Sequence, residues 1–323
     1  MNIDMIRAAD ARLQGHKRVT PLLSSPFLDE IAGRRVLIKS ECLQHTGSFK
    51  FRGAFSAISA LSAAQRAKGI LAFSSGNHAQ GVALAAKLHG APSVIIMPKD
   101  APAIKINNTR ALGGEVILYD RDTEDRDALG EAMERDRGLT LVRPFDDPQV
   151  IAGQGTTGLE IAVQAVDMGI SDAQVLVCCG GGGLTSGIAT ALAADAPKMR
   201  VCPVEPVGFD DTARSLVAGT HQTNAQTSGS ICDAIVTPSP GKLTFPILKD
   251  LCPRGYAVTD EQALKAIKLA FQRLKIVLEP GGAVALAAAL FHGDALSHDT
   301  VIAVASGGNI DDDMFRRALE VKL

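Results

Sequence analysis

Short β-branched apolar runs alternate with longer Ala- and Leu-rich stretches along most of the chain. Segments 69–75 (GILAFSS), 93–98 (SVIIMP), 114–120 (GEVILYD), 174–179 (QVLVCC), 200–206 (RVCPVEP) and 300–306 (TVIAVAS) read as strands. Between them, 81–90 (GVALAAKLHG), 183–196 (GLTSGIATALAADA) and 261–274 (EQALKAIKLAFQRL) read as helices. Strands without polar alternation belong in a sheet covered on both faces, and strand–helix alternation makes that sheet mostly parallel. The predicted class is α/β, with parallel-rich open sheets flanked by helices. Two segments interrupt the pattern: 121–138 is densely charged and reads as a solvated helix face, and 218–233 is a looser stretch rich in Thr, Ser, Gln and Asn.

Composition narrows the classes. With 323 residues, 46% of them hydrophobic, the chain can build a sizeable core, and its length suggests about two domains. A formal net charge of −2 offers no basic field for nucleic acid or an anionic membrane surface. The absence of Trp and the presence of only 2 Tyr argue against base-stacking platforms. No apolar run reaches the roughly 18 residues of a membrane span, and the polar, amphipathic start is unlike a signal peptide. The 6 cysteines, at 42, 178, 179, 202, 232 and 252, form no C-x-x-C pair and have no histidine at zinc spacing. Reduced thiols in a cytoplasmic protein are expected.

Four stretches carry candidate chemistry. In VLVCCGGGGLTSGIATALAA (175–194) four glycines join a strand to a helix, where close backbone N–H groups and the helix start make a phosphate cradle. No Gly-Lys-Ser/Thr follows, so this is not a Walker loop, and Thr185 and Ser186 break the dinucleotide glycine pattern. Glu205, near the end of the next strand, keeps a nicotinamide enzyme open, but a compact single-phosphate cofactor suits the loop better. In TGSFKFRGAF (46–55), Ser48 is expected to cap a helix with Lys50 in its first turn. There the helix dipole and desolvation by Phe49 and Phe51 disfavour the ammonium, making an amine able to form a Schiff base. A snorkelling surface lysine is the plain alternative. FSSGNHAQG (73–81) ends a strand in hydroxyls, an amide and a helix start suited to a carboxylate, with simple N-capping as the alternative. IAVASGGNID (302–311) ends another strand in a polar glycine turn. Strand ends of this kind converge on one crevice in an α/β sheet.

Taken together, from HKRVTPLLSS (16–25) to SGGNID (306–311), these motifs resemble the serine/threonine dehydratase and serine racemase family, two-domain fold-type II enzymes of the tryptophan synthase β type that use pyridoxal 5′-phosphate (PLP). TGSFKFRGA, SSGNHAQG, AGQGT, CGGGGL and SGGNID occur in that order. The resemblance implies that Lys50 carries PLP as a Schiff base and acts as general base, with Phe49 against the ring. It also implies that Asn77 bonds the ring hydroxyl, that Gly180, Gly181, Gly182, Gly183 and Leu184 hold the phosphate, and that Ser306 meets the pyridine nitrogen. Ser74, Ser75, Asn77 and His78 would hold the substrate, Arg126 would close over it, and Ser75 could act on the opposite face. Glu205, the Phe209 carbonyl and Asp211 would bind Mg²⁺ or Ca²⁺. The family pattern gives a large domain of 1–60 and 146–323, a small mobile domain of 61–145, and a homodimer. No regulatory domain is expected after residue 323. The implied function is ammonia-lyase action on L-serine, L-threonine or L-threo-3-hydroxyaspartate, with amino-acid racemisation as the main alternative. EPGGAVALAAAL (279–290) is closer to the dehydratases than to the racemases. A silent amino-acid-binding protein is the reading from another class.

Overall fold

A computed structural model describes residues 1–323 except 102 and 121, and the backbone alone at 104 and 127. Among the described residues there are two sheets. The larger combines β1 (Leu22–Ser24), β2 (Arg35–Lys39), β7 (Ala173–Cys178), β8 (Met199–Pro206), β9 (Tyr256–Val258) and β10 (Thr300–Val304), in the order β1-β2-β10-β7-β8-β9. Only its β1–β2 pairing is antiparallel; the rest are parallel. The smaller sheet is all parallel, ordered β5-β4-β3-β6, from β3 (Ile70–Phe73), β4 (Ser93–Pro98), β5 (Glu115–Tyr119) and β6 (Thr140–Leu141). Every residue of β4 and β7 is buried, as their unbroken apolar sequence requires.

The predicted elements are present, with informative differences at their ends. The 69–75 and 300–306 segments stop as strands at Phe73 and Val304, leaving Ser74, Ser75 and Ser306 at the strand ends, where they line a cavity. The 81–90 helix begins earlier, at Asn77. The 261–274 pattern divides into an α-helix Asp260–Leu269 and a π-helical turn Ala270–Leu274. The charged segment supplies the helix Arg126–Arg137, with Arg135 and Arg137 among its exposed side chains.

Two packing devices position the lysine. The helix Pro148–Asp167 presents Gly153, Gly155 and Gly158 to its neighbours. A Cβ on Gly153 would lie 2.4 Å from the Arg52 carbonyl oxygen, and one on Gly155 would lie 2.9 Å from that of Gly187. These glycines let the helices Lys50–Ala60 and Gly183–Asp195 lie backbone-close against one partner, fixing lysine and glycine loop relative to each other. Second, residues 47–49 pair with 306–308: Phe49 N–H donates to the Ser306 carbonyl (3.1 Å) and Gly308 N–H to that of Gly47 (2.9 Å).

That pairing corrects one expectation. Ser48 does not cap the lysine helix; it is extended and bridges antiparallel to Gly307, and its buried hydroxyl has no partner among the described residues. Phe49 holds the N-cap position with no side-chain cap. The strand-like pairing with 306–308 takes Ser48 out of capping geometry, while Lys50 remains the first helical residue.

Candidate active site

The C-terminal ends of β3, β7 and β10 open on a cavity of about 280 Å³. It brings together residues scattered over the sequence: Phe49 and Lys50, then Ser74, Ser75, Asn77 and His78, Arg126, Gly180 to Leu184, and Ser306. Glu205, Phe209 and Asp211 are not among its lining residues.

Lys50 leaves the first turn of its helix and donates from Nζ to the Pro144 carbonyl at 2.8 Å, with the Phe49 ring centroid 5.1 Å away. Burial pushes its amine down to about 8, against the opposing pull of Glu279. A fraction of neutral amine is thus present near neutral pH, as Schiff-base chemistry requires. Phe51, expected beside the lysine, instead faces away into the core, with no exposure.

The glycine loop is shaped by its neighbours. Gly182, at φ 88°, adopts the left-handed conformation that caps the 13-residue helix Gly183–Asp195. A Cβ on Gly181 would lie 2.3 Å from the Phe145 ring, so a side chain is excluded there. Thr244 Oγ1 and Gly241 N–H both donate to the Gly181 carbonyl, at 2.6 and 3.1 Å, turning the peptide so that loop N–H groups are left for an anion.

Opposite the lysine, Ser74 to Asn77 wrap the start of the helix Asn77–Leu88; Ser74 Oγ accepts the Gly76 N–H at 3.1 Å. His78 is buried and its Nε2 lies 2.9 Å from the Val142 carbonyl. A carbonyl only accepts, so the proton is on Nε2 and Nδ1 presents a lone pair. Burial, and then the Lys50 charge, holds this imidazole down to about 3, so it stays neutral. A contact from His78 to a carboxylate would therefore come from its first-turn backbone N–H. Arg126 begins its helix and stacks over the Phe73 ring at 5.3 Å. Ser306, nearly buried, closes the floor beside the Cys178 thiol.

These residues fit PLP: an amine for the aldehyde, a glycine loop at a helix start for the phosphate, and an amide and a hydroxyl for the ring's polar atoms. The acidic pair is elsewhere. Glu205 is fully buried and accepts the Thr212 and Ala213 N–H groups at 2.9 and 2.8 Å. Asp211 Oδ1 accepts from Asn224 Nδ2 at 2.6 Å, while Oδ2 is buried without a partner among the described residues. Burial pushes both carboxyls up, Asp211 to about 6. Among the described residues, no group of three or more His, Cys, Asp or Glu side chains could hold a metal.

Sequence reasoning missed several cavity residues. Glu279 sits at the start of the helix Pro280–Phe291 and accepts from Asn77 Nδ2 at 2.5 Å; burial pushes its carboxyl up to about 7. Pro144, Phe145 and Lys105 also line the space. Glu279 stood inside a visible motif, EPGG, but nothing local distinguishes a buried acid there from a helix cap. The other three have no such signal.

A model of the family described as pyridoxal-phosphate dependent enzymes matches residues 13–307. An L-threo-3-hydroxyaspartate ammonia-lyase of Pseudomonas sp is 41% identical over 98% of this chain and 98% of its own. The crystal structure of a T.th. threonine deaminase superposes with a TM-score of 0.91 at 44% identity, covering 96% of this chain and 99% of that one. Maize serine racemase gives a TM-score of 0.90 at 36% identity, over 98% and 96% of the two chains. The architecture of parallel sheets flanked by helices is theirs as well. The chain belongs to the pyridoxal-phosphate-dependent enzymes, with PLP as its cofactor.

Proposed function

We propose that this enzyme is an ammonia-lyase eliminating water from a β-hydroxy amino acid, L-serine, L-threonine or L-threo-3-hydroxyaspartate, to give a 2-oxo acid and ammonia. The observation that carries the reading is an enclosed lysine amine held down to about 8, facing a hydroxyl, amide and N–H cradle at a helix start. Bound at Lys50, PLP supplies the electron sink that acidifies the Cα–H bond. Ser74 and the backbone N–H groups at the helix start beside Asn77 would hold the substrate carboxylate. The Lys50 amine would take the Cα proton as general base. Ser306 would offer the pyridine nitrogen a neutral hydroxyl, which does not enforce ring protonation and so would favour loss of the β-hydroxyl. Water then hydrolyses the released enamine.

Arg126, at the cavity edge, suits a second carboxylate, which favours 3-hydroxyaspartate. Residues 61–145, which contain all of the smaller sheet, form the unit that would close over the substrate. At the remote acidic pair, the unpartnered Asp211 Oδ2, the Glu205 carboxylate and the Phe209 carbonyl would supply three oxygens to Mg²⁺ or Ca²⁺. The exposed Val163 and Val166 on one helix face suit a homodimer contact. No helix among the described residues is long and apolar enough to cross a membrane, and the unpaired thiols suit the cytoplasm.

Racemisation is the second reading, favoured by Ser75 in the cavity, where its hydroxyl could return a proton to the other face of Cα. Incubation with each candidate substrate, following 2-oxo acid and D-amino acid together, tests both. Dominant oxo-acid release is expected, fastest with 3-hydroxyaspartate, and Ser75→Ala should lose any racemisation while keeping elimination. Dominant D-serine formation from L-serine would overturn the lyase reading.

A further inference from the structure

Asn77 is held at both ends of its amide. Asn309 Nδ2 donates to the Asn77 Oδ1 at 2.7 Å, and Asn77 Nδ2 donates to Glu279 Oε1 at 2.5 Å. Asn309 Nδ2 also donates to the Thr46 backbone carbonyl at 2.8 Å. That last bond fixes the direction of the whole chain. A backbone carbonyl only accepts, so the Asn309 atom facing it is the NH₂, and the Asn77 atom facing that NH₂ is its oxygen. The Asn77 NH₂ is then left for Glu279 and the cavity.

The surrounding backbone is built around this arrangement. Thr46 has φ 59°, a left-handed conformation unusual for a β-branched residue, and Gly47 follows at φ 71°. A Cβ on Gly47 would lie 2.6 Å from Asn309 Oδ1. A Cβ on Gly307 would lie 2.0 Å from Glu279 Oε1 and 3.2 Å from Asn77 Nδ2. Glycine at both places lets the amide and the carboxyl approach, and these are the segments whose pairing brings Lys50 to Ser306.

We propose that Asn309 is a positioning residue: through the Thr46–Asn309–Asn77–Glu279 chain it sets the Asn77 amide with its N–H toward the cofactor's ring oxygen. A donor at that oxygen favours its phenolate form, with the proton on the nitrogen of the Lys50 linkage. An acceptor there would favour the ring hydroxyl and leave the linkage nitrogen bare. The two forms absorb at different wavelengths, the phenolate form at the longer, so the setting of one amide is readable in the spectrum of the resting holoenzyme.

Asn309→Leu keeps the side chain's size and removes both hydrogen bonds. Asn309→Asp presents only acceptors, which draw the Asn77 NH₂ away from the cavity. The field of the new carboxylate acts the other way, holding the proton on the linkage nitrogen, so a larger fall in Asn309→Asp can come only from reversal of the amide. The ratio of long- to short-wavelength absorbance at fixed pH should fall about tenfold in Asn309→Asp, the effect of one hydrogen bond to a charged group, and less in Asn309→Leu. Glu279→Gln keeps an acceptor for the Asn77 NH₂ but removes a negative charge that favours the proton at Lys50, so the ratio should fall, by less than in Asn309→Asp; an equal or larger fall would assign the control to Glu279 instead. A native ratio in a folded Asn309→Asp protein would overturn the proposal, and that variant decides alone should Asn309→Leu not fold.

Discussion

Lys50 and Arg52 lie two residues apart on one helix, are both enclosed, and have opposite fates. Arg52 has no exposure and is completely paired: Nε and Nη2 hold Glu41 at 2.7 and 2.8 Å, and Nη1 and Nη2 hold Glu160 at 2.8 and 2.9 Å. Glu160 in turn accepts from Lys39 at 2.7 Å and meets Lys17 at 2.9 Å, and Lys17 meets Asp10. Three cations thus face three carboxylates. Charge pairing raises the Arg52 guanidinium further above its ordinary value in spite of burial. Lys50 has a neutral carbonyl in hydrogen-bond contact and, among the described residues, no carboxylate at that range, and burial lowers it to about 8. Burial lowers the paired Lys39 as well, although Glu160 pulls it back up, so a matched anion offsets burial without cancelling it. Lys50 differs in having, among the described residues, only a neutral carbonyl at hydrogen-bond range and in facing the cavity.

Replacing Lys50 should break this contrast most sharply. In Lys50→Met, oxo-acid release should fall by about a thousandfold or more, the scale of losing a general base together with the covalent anchor. Borohydride treatment should leave no cofactor mass on residue 50. Stability of the cofactor-free protein should move the other way. A lysine lowered from 10.5 to about 8 on folding costs stability fully below pH 8, and the cost disappears as pH rises through 10.5. The variant's melting temperature should exceed the unaltered protein's at pH 7, with the gain vanishing above the upper value.

Arg52→Met should do the reverse. It leaves two buried carboxylates without their main partner and should cost about 3–5 kcal/mol in denaturant unfolding. An unfolding midpoint within experimental error of the unaltered protein would show that the network is stability-neutral. The smallest effect is the acid limb. Glu160 is held down to about 2 from an ordinary 4.5, chiefly by Arg52 against burial. Its contribution is complete above pH 4.5 and is lost as pH falls toward 2, about 3 kcal/mol in all. Glu160→Gln should flatten that limb, and an unchanged acid titration of stability would place the acid-sensitive group elsewhere.

The sequence made one side of this helix legible and hid the other. Lys50, the glycine loop and the Ser-Ser-Gly-Asn turn announce themselves because their chemistry needs adjacent residues of fixed type at strand ends. Long apolar strands such as β4 and β7 are equally plain, since burial on both faces leaves no polar position. The two-residue β6 and the three-residue β1 and β9 are too short to carry a period, and pairing with longer strands makes them. Arg52, Glu41 and Glu160 look like ordinary surface charges, because their partners lie 11 and 108 positions apart in the chain. Glu279 and Asn309 were hidden for the same reason: each was visible in a motif, but Asn77, 202 and 232 residues away, gives them their meaning. Ser48 shows the converse error, a good local cap signal overridden by pairing with residues 306–308.

All 6 cysteines are buried and unpaired, and burial pushes the thiols of Cys42 and Cys232 up to about 12. In the native state none offers an alkylating reagent a thiolate. Sulfur modification outside the cavity, which Cys178 lines, is therefore gated by opening of the chain rather than by reagent chemistry. Because Cys42 and Cys178 share one hydrophobic cluster of the large sheet and Cys252 belongs to another, the order in which they are labelled would trace how the molecule comes apart.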